Sequence, residues 1–145
     1  MNLSVNYQLL ISDQIYFQKD IRKEGFLFMY KIIGYYKRKD GIEEFAEELK
    51  NTLIPRILKI HGVIKVEVTE LMVSNSSPTD VTPDNDFALM CEIYFASPDA
   101  LQKVLASEEG QAVAQSWIND AADYLVAYVG KEQVFRANLF TNLNY

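Results

Sequence analysis

The sequence predicts an α+β domain in which four antiparallel strands form one sheet that carries helices on one face. Three observations predict it. Hydrophobic periodicity changes in the order strand, helix, strand, strand, helix, strand. Turn and capping residues stand at the changes of period. Each strand-helix-strand half calls for a right-handed crossover, which puts both helical segments on the same side of the sheet.

The first strand is residues 30–36, rich in aromatic and β-branched side chains and closed by Lys37-Arg38-Lys39-Asp40-Gly41. Asp40 and Glu43 have capping-box spacing, so a helix is expected to start there. Ile42, Phe45, Leu49, Leu53, Ile57 and Ile60 then recur at steps of three and four, which makes one apolar stripe. Pro55 interrupts this helix by removing a backbone donor and crowding the preceding turn, so a kink or break is expected near Asn51-Thr52. After Gly62, residues 63–73 alternate, with Ile64, Val66 and Val68 opposing Lys65, Glu67 and Thr69. Residues 74–86 are polar with two prolines and read as a long, solvated, mobile hairpin connection.

Residues 87–95 are almost wholly apolar apart from Glu92, the pattern of a central strand covered on both faces. Ser97 with Pro98 opens a short helix carrying Leu101, Val104 and Leu105. Ser107-Glu108-Glu109-Gly110 breaks the stripe and caps a further helix through Val113, Ala114, Trp117, Ile118 and Ala121. Residues 124–129 form the last strand, with Gly130 closing it. The domain is thus expected over 29–132, with a tail at 133–145.

Composition narrows the function classes. Of 145 residues, 49% are hydrophobic and 23% charged, enough to bury one core. A net charge of −6 and no Lys/Arg cluster argue against nucleic acid and against an anionic membrane surface. The apolar run Leu9-Leu10-Ile11 stops at Ser12-Asp13 with no basic region before it, unlike a signal peptide, and no apolar stretch is long enough to span a bilayer. Cys91 is the only cysteine, so one chain can form neither a disulfide nor a thiolate metal cluster, and a reducing cytoplasm is expected. In a bacterial gene Lys23-Glu24-Gly25 can be encoded by a purine run of the ribosome-binding type ahead of Phe26-Leu27-Phe28, so Met29 is expected to start the native chain. The alternative is an added strand or helix over 1–28, where residues 5–11 and 14–17 have strand character.

A βαββαβ order of this kind is ferredoxin-like. Aromatic and β-branched residues occupy both parities of the first and third strands, so the helix-free face is expected to be apolar as well. Two such faces packed across a two-fold axis would make a homodimer, an α/β barrel. Tyr30-Lys31-Ile32-Ile33-Gly34-Tyr35-Tyr36-Lys37-Arg38, then Phe45, Pro55 and Gly62-Val63, then Glu92-Ile93-Tyr94-Phe95-Ala96-Ser97 and Leu105-Ala106-Ser107-Glu108-Glu109-Gly110-Gln111-Ala112 resemble, in that order, the EthD family. The resemblance spans roughly residues 29 to 132 and implies a dimeric α/β barrel related to small monooxygenases of antibiotic biosynthesis, lactone isomerases and stress-responsive barrel proteins. Similar members often carry a histidine two residues before the helix proline and a Pro-Gly pair opening the second strand. Here those places hold Leu53 and His61-Gly62, and a leucine cannot transfer a proton.

The candidate site residues follow from chemistry. His61 is the only histidine and the candidate for proton transfer, against a capping or exposed role at its helix-to-strand turn. Cys91 reads as a pocket nucleophile or a small buried hydrophobe. Glu92 calls for a basic partner such as Lys31 or Lys65, an interface or a polar cavity. Tyr35, Tyr36 and Tyr94, with Trp117 and Leu53, complete an expected apolar pocket between sheet and helices that orients a small hydrophobic or aromatic metabolite. No metal-ligand spacing, phosphate loop or nucleophile elbow is present, so no cofactor is expected. If the chain is an enzyme, the resemblance implies a cofactor-free oxidation or isomerisation; otherwise it is a structural or accessory homodimer.

Overall fold

The computed structural model describes residues 29–73, 82, 85–121 and 123–135. The readings made for residues 1–28, for most of the 74–86 connection and for the end of the tail lie outside them. The elements run β1 (Met29–Lys37), a helical segment, β2 (Val63–Glu70), β3 (Phe87–Phe95), two further helices and β4 (Leu125–Glu132). The sheet order is β2-β3-β1-β4, every neighbouring pair antiparallel, which is the ferredoxin-like α+β arrangement.

The first helical segment has three parts: α1 (Ile42–Glu48), a π-helical turn over Leu49–Leu53, and α2 (Ile54–Ile57). Pro55 explains the middle part. It has no N–H to give to the carbonyl of Asn51, and its ring would press on that carbonyl. The chain widens by one residue instead, and Ile54 N–H reaches back to the carbonyl of Leu49. The expected kink is therefore taken up as a π turn with the apolar stripe still facing the sheet: Leu49, Leu53 and Ile57 are buried.

The helix start differs from the expectation. Gly41, with φ 85°, is the N-cap, and no side chain caps the first turn, so Asp40 and Glu43 do not form a capping box. The left-handed turn brings the chain in at an angle that the capping box does not share. At the second connection the serines act as expected. Ser97 Oγ accepts from Ala100 N–H at 3.0 Å and opens α3 (Pro98–Ala106). Ser107 Oγ donates to the Val104 carbonyl at 2.7 Å and accepts from Gly110 N–H at 3.0 Å, joining the end of α3 to the start of α4 (Glu108–Ala121).

One core lies between the helices and the sheet. Tyr30, Ile32 and Tyr36 of β1 and Leu89, Cys91, Ile93 and Phe95 of β3 meet Leu49, Leu53, Ile57, Leu101, Val104, Leu105, Val113 and Trp117. β4 extends past Gly130, which sits inside the strand opposite Lys31 rather than ending it. Among the described residues no helix is long and apolar enough to cross a membrane.

Candidate functional site

Strand alternation divides the expected pocket residues. Tyr36, Cys91, Leu53 and Trp117 lie in the core on the helix side. Tyr35, Glu92 and Tyr94 are on the opposite parity and face away from the helices, with Tyr35 packed against Phe87 and Tyr128, and Glu92 and Tyr94 bonded to Lys31. The seven do not line one pocket, because the period of a strand is two and the set draws on consecutive residues. His61 is exposed in the turn before β2 and lines none of the cavities described below.

On the helix side Trp117 is the organising residue. Its Nε1–H donates to the hydroxyl of Tyr36, and both residues are buried. The indole lies against Gly34, the one position of β1 without a side chain. Burial pushes the Tyr36 phenol up, with the nearby Cys91 adding to it, and burial followed by the Glu92 charge pushes the Cys91 thiol up to about 12. Cys91 is thus held as a neutral thiol and is no ready nucleophile. Two small voids flank Trp117, one of about 30 Å³ toward Leu53 and Arg56 and one of about 40 Å³ toward Ile57 and Val104.

A larger cleft of about 360 Å³ opens between α1 and the ends of β2 and β3. Its apolar wall includes Ile42, Ala46, Met72 and Leu89, and its rim carries Glu43, Glu47, Lys50, Glu70 and Arg38. Lys50 bridges the mouth, with Nζ 3.4 Å from Glu70 Oε1 and 3.8 Å from Glu47 Oε1. Arg38 secures the other side of the rim, with Nε 3.1 Å from Asp86 Oδ1 and Nη2 donating to the Leu71 carbonyl at 3.0 Å. The sequence reading missed these residues. The charges looked like a solvated helix face and turn, and the one available signal was that Ile42 begins the stripe and Ala46 borders it.

The helix-free face is divided, which corrects the expectation of a uniformly apolar surface. One half is apolar, with Ile33, Tyr35, Met90, Val126 and Tyr128 on it and the Tyr35 ring 5.4 Å from Phe87 and 6.1 Å from Tyr128. The other half is a polar network. Lys31 Nζ lies 2.5 Å from Glu92 Oε1 and 2.8 Å from Glu132 Oε2, and Tyr94 OH lies 3.0 Å from Glu132 Oε2 and 3.1 Å from Glu67 Oε2. Lys31 and Lys65 also stand over the Tyr94 ring, at 5.0 and 4.3 Å. Burial opposes the Lys31 charge, yet the bonds to Glu132, Glu92 and Tyr94 outweigh it and raise its pKa. Lys31 holds the Glu132 carboxyl low, Lys65 does the same for Glu67, and burial pushes the Tyr94 phenol up to about 12. Lys31 is thus held charged, Glu132 and Glu67 are held ionised and Tyr94 is held as a neutral phenol, and together they order this half of the face.

The fold and these sites define a small ferredoxin-like α+β domain with a ligand-sized cleft on its helix side. The EthD domain model matches residues 42–125, and the chain belongs to that family. An EthD family protein from Bacillus halodurans is 28% identical and superposes with a TM-score of 0.61 over 72% of this chain and 99% of its own. An EthD-like protein from Ralstonia eutropha gives 15% and 0.51 over 78% and 99%, and a dimeric ferredoxin-like protein of unknown function from Jannaschia gives 12% and 0.50 over 74% and 100%. A comparison with curated proteins finds no match.

Proposed function

We propose that the chain is a homodimeric EthD-family protein of the cytoplasm that binds a small hydrophobic or aromatic metabolite in the cleft between α1 and the sheet. The observation that carries this reading is the cleft itself. Its volume of about 360 Å³ lies in the range that small-molecule sites occupy, and its apolar wall is bordered by a few polar groups able to orient a guest. The voids beside Trp117, at about 30 and 40 Å³, are too small for such a guest. The dimer would form through the apolar half of the helix-free face. Support for it is the cluster around Tyr35 and Tyr128 and the dimeric description of the Jannaschia protein.

A cofactor-free oxidation or isomerisation of the bound metabolite is the reaction class the family resemblance implies. A second reading, a binding or structural homodimer without a reaction of its own, is favoured by Leu53, which is buried in the core where similar members often carry histidine. The binding reading is tested by thermal shift with a panel of one- and two-ring aromatic compounds on the native chain and on Ala46→Trp, which fills the cleft. A ligand at about 100 times its Kd should stabilise the native chain by about 2.7 kcal/mol, and Ala46→Trp should abolish that shift. A panel with no effect, or an equal shift in both proteins, rejects the cleft. Product analysis with the stabilising compound under air then separates the two readings.

A further inference from the structure

The cleft beside α1 has an apolar wall and an unevenly charged mouth. Among the described residues five ionisable side chains line it, Glu43, Glu47 and Glu70 against Lys50 and Arg38, so carboxylates are in excess. Both cations are already engaged. Arg38 gives Nε to Asp86 and Nη2 to the carbonyls of Leu71 and Phe87. Lys50 Nζ is shared between Glu70 and Glu47. Glu43 is the opposite case. It is exposed in the first turn of α1, and among the described residues no cation or hydrogen-bond donor is paired with it.

The charge of a guest therefore decides how well it fits. An acidic head group would meet three carboxylates and would have to draw Arg38 or Lys50 away from bonds that each already makes. A protonated amine would meet Glu43 unopposed and can take the place of Lys50 between Glu47 and Glu70, whose contacts at 3.8 and 3.4 Å are long. Such a row of acids on an exposed helix would by itself be a solvated face. Here it stands at the edge of a wall of Ile42, Ala46, Met72 and Leu89, which can hold the carbon part of the same molecule. We infer that the guest of this cleft is an amphiphilic amine, an apolar ring ending in a cationic group, and that Glu43 is the residue that selects it. The inference rests on the cleft reading above and adds to it the charge of the ligand.

Three one-ring probes of similar size test it: phenethylamine, cationic at neutral pH, phenethyl alcohol, which is neutral, and phenylpropionate, which is anionic. Each is titrated into the native chain while the methyl signals of Ala46 and Met72, both on the cleft wall, are followed. The amine should bind tightest and the acid weakest, with steps of up to about fivefold for an exposed ion pair, and the order should flatten in high salt. Glu43→Gln, at an exposed position, should bring the amine down to the affinity of the alcohol. Lys50→Gln, which frees Glu47 and Glu70, should raise the affinity for the amine further. Equal binding of amine and alcohol, or tightest binding of the acid, would overturn the inference with the cleft reading kept. No methyl response to any of the three would reject the cleft and the inference together.

Discussion

The Trp117 indole packs so closely on Gly34 that a Cβ there would stand 2.9 Å from Trp117 Cζ2 and 3.2 Å from Leu125 Cδ1. A ring that also donates to a buried hydroxyl cannot retreat without breaking that bond. Gly34→Ala should gain up to about 1 kcal/mol from strand entropy and lose about 1–3 kcal/mol to overpacking. The expected outcome is a lower urea midpoint, part of which Trp117→Phe in the same chain restores. An unchanged midpoint would mean that the indole is free to move.

Among the described residues Lys31 is the cation bonded to Glu92, and both side chains are largely covered, at 13% and 10% exposure. Lys31→Met leaves a covered carboxylate without its partner and should cost about 3 kcal/mol. Replacing both, with Lys31→Met and Glu92→Leu, should recover most of it, because an apolar pair has no desolvation debt. Chemical denaturation of the three variants decides whether the pair is coupled.

Acid should weaken the fold through Glu132 and Glu67. Lys31 and Lys65 hold these carboxyls below their unfolded values of about 4.3, so the unfolded chain takes up the proton first as pH falls. Their stabilisation is complete above that value and is lost as pH falls through the lower folded one. Urea midpoints measured from pH 7 to pH 3 should decline less steeply in Glu132→Gln than in the native chain. Parallel curves would place the acid sensitivity elsewhere.

Cys91 should be inert while the chain is folded. Its thiol is buried and its pKa pushed up to about 12, so at pH 8 a thiol reagent should label it only after denaturant is added. Labelling of the native protein at the rate of a free thiol would contradict the packed core around Gly34.

Tyr128 is 55% exposed on the edge strand of the apolar half-face, so a charge there costs the single chain little. Tyr128→Asp should convert the proposed dimer to a monomer in sedimentation while leaving the thermal unfolding of the monomer intact. A native chain that sediments as a monomer removes the dimer altogether.

Much of the fold was legible because its signals are local. β3 at Phe87–Phe95 agrees with the apolar run, and Ser97 and Ser107 cap the helices the sequence marks. The capping box was misread because Asp40 and Gly41 both signal a helix start, and only the turn geometry chooses between them. Gly130 was misread for a related reason. Glycine can end a strand or make room inside one, and here the stem of Lys31 lies against it, with Cγ 3.4 Å from where a Cβ would be.

The sequence by itself determined the order of the elements, the side of each helix that is buried and the membership of the EthD family, since all of these are carried by periods of two to four residues and by motifs in a row. The tertiary structure alone decided which residues share a site. Lys31 meets Glu132 across 101 positions of chain, and consecutive residues such as Tyr35 and Tyr36 are sent to opposite faces of the sheet. Strand alternation and non-local register set those neighbours, and neither can be read until the four strands are laid side by side.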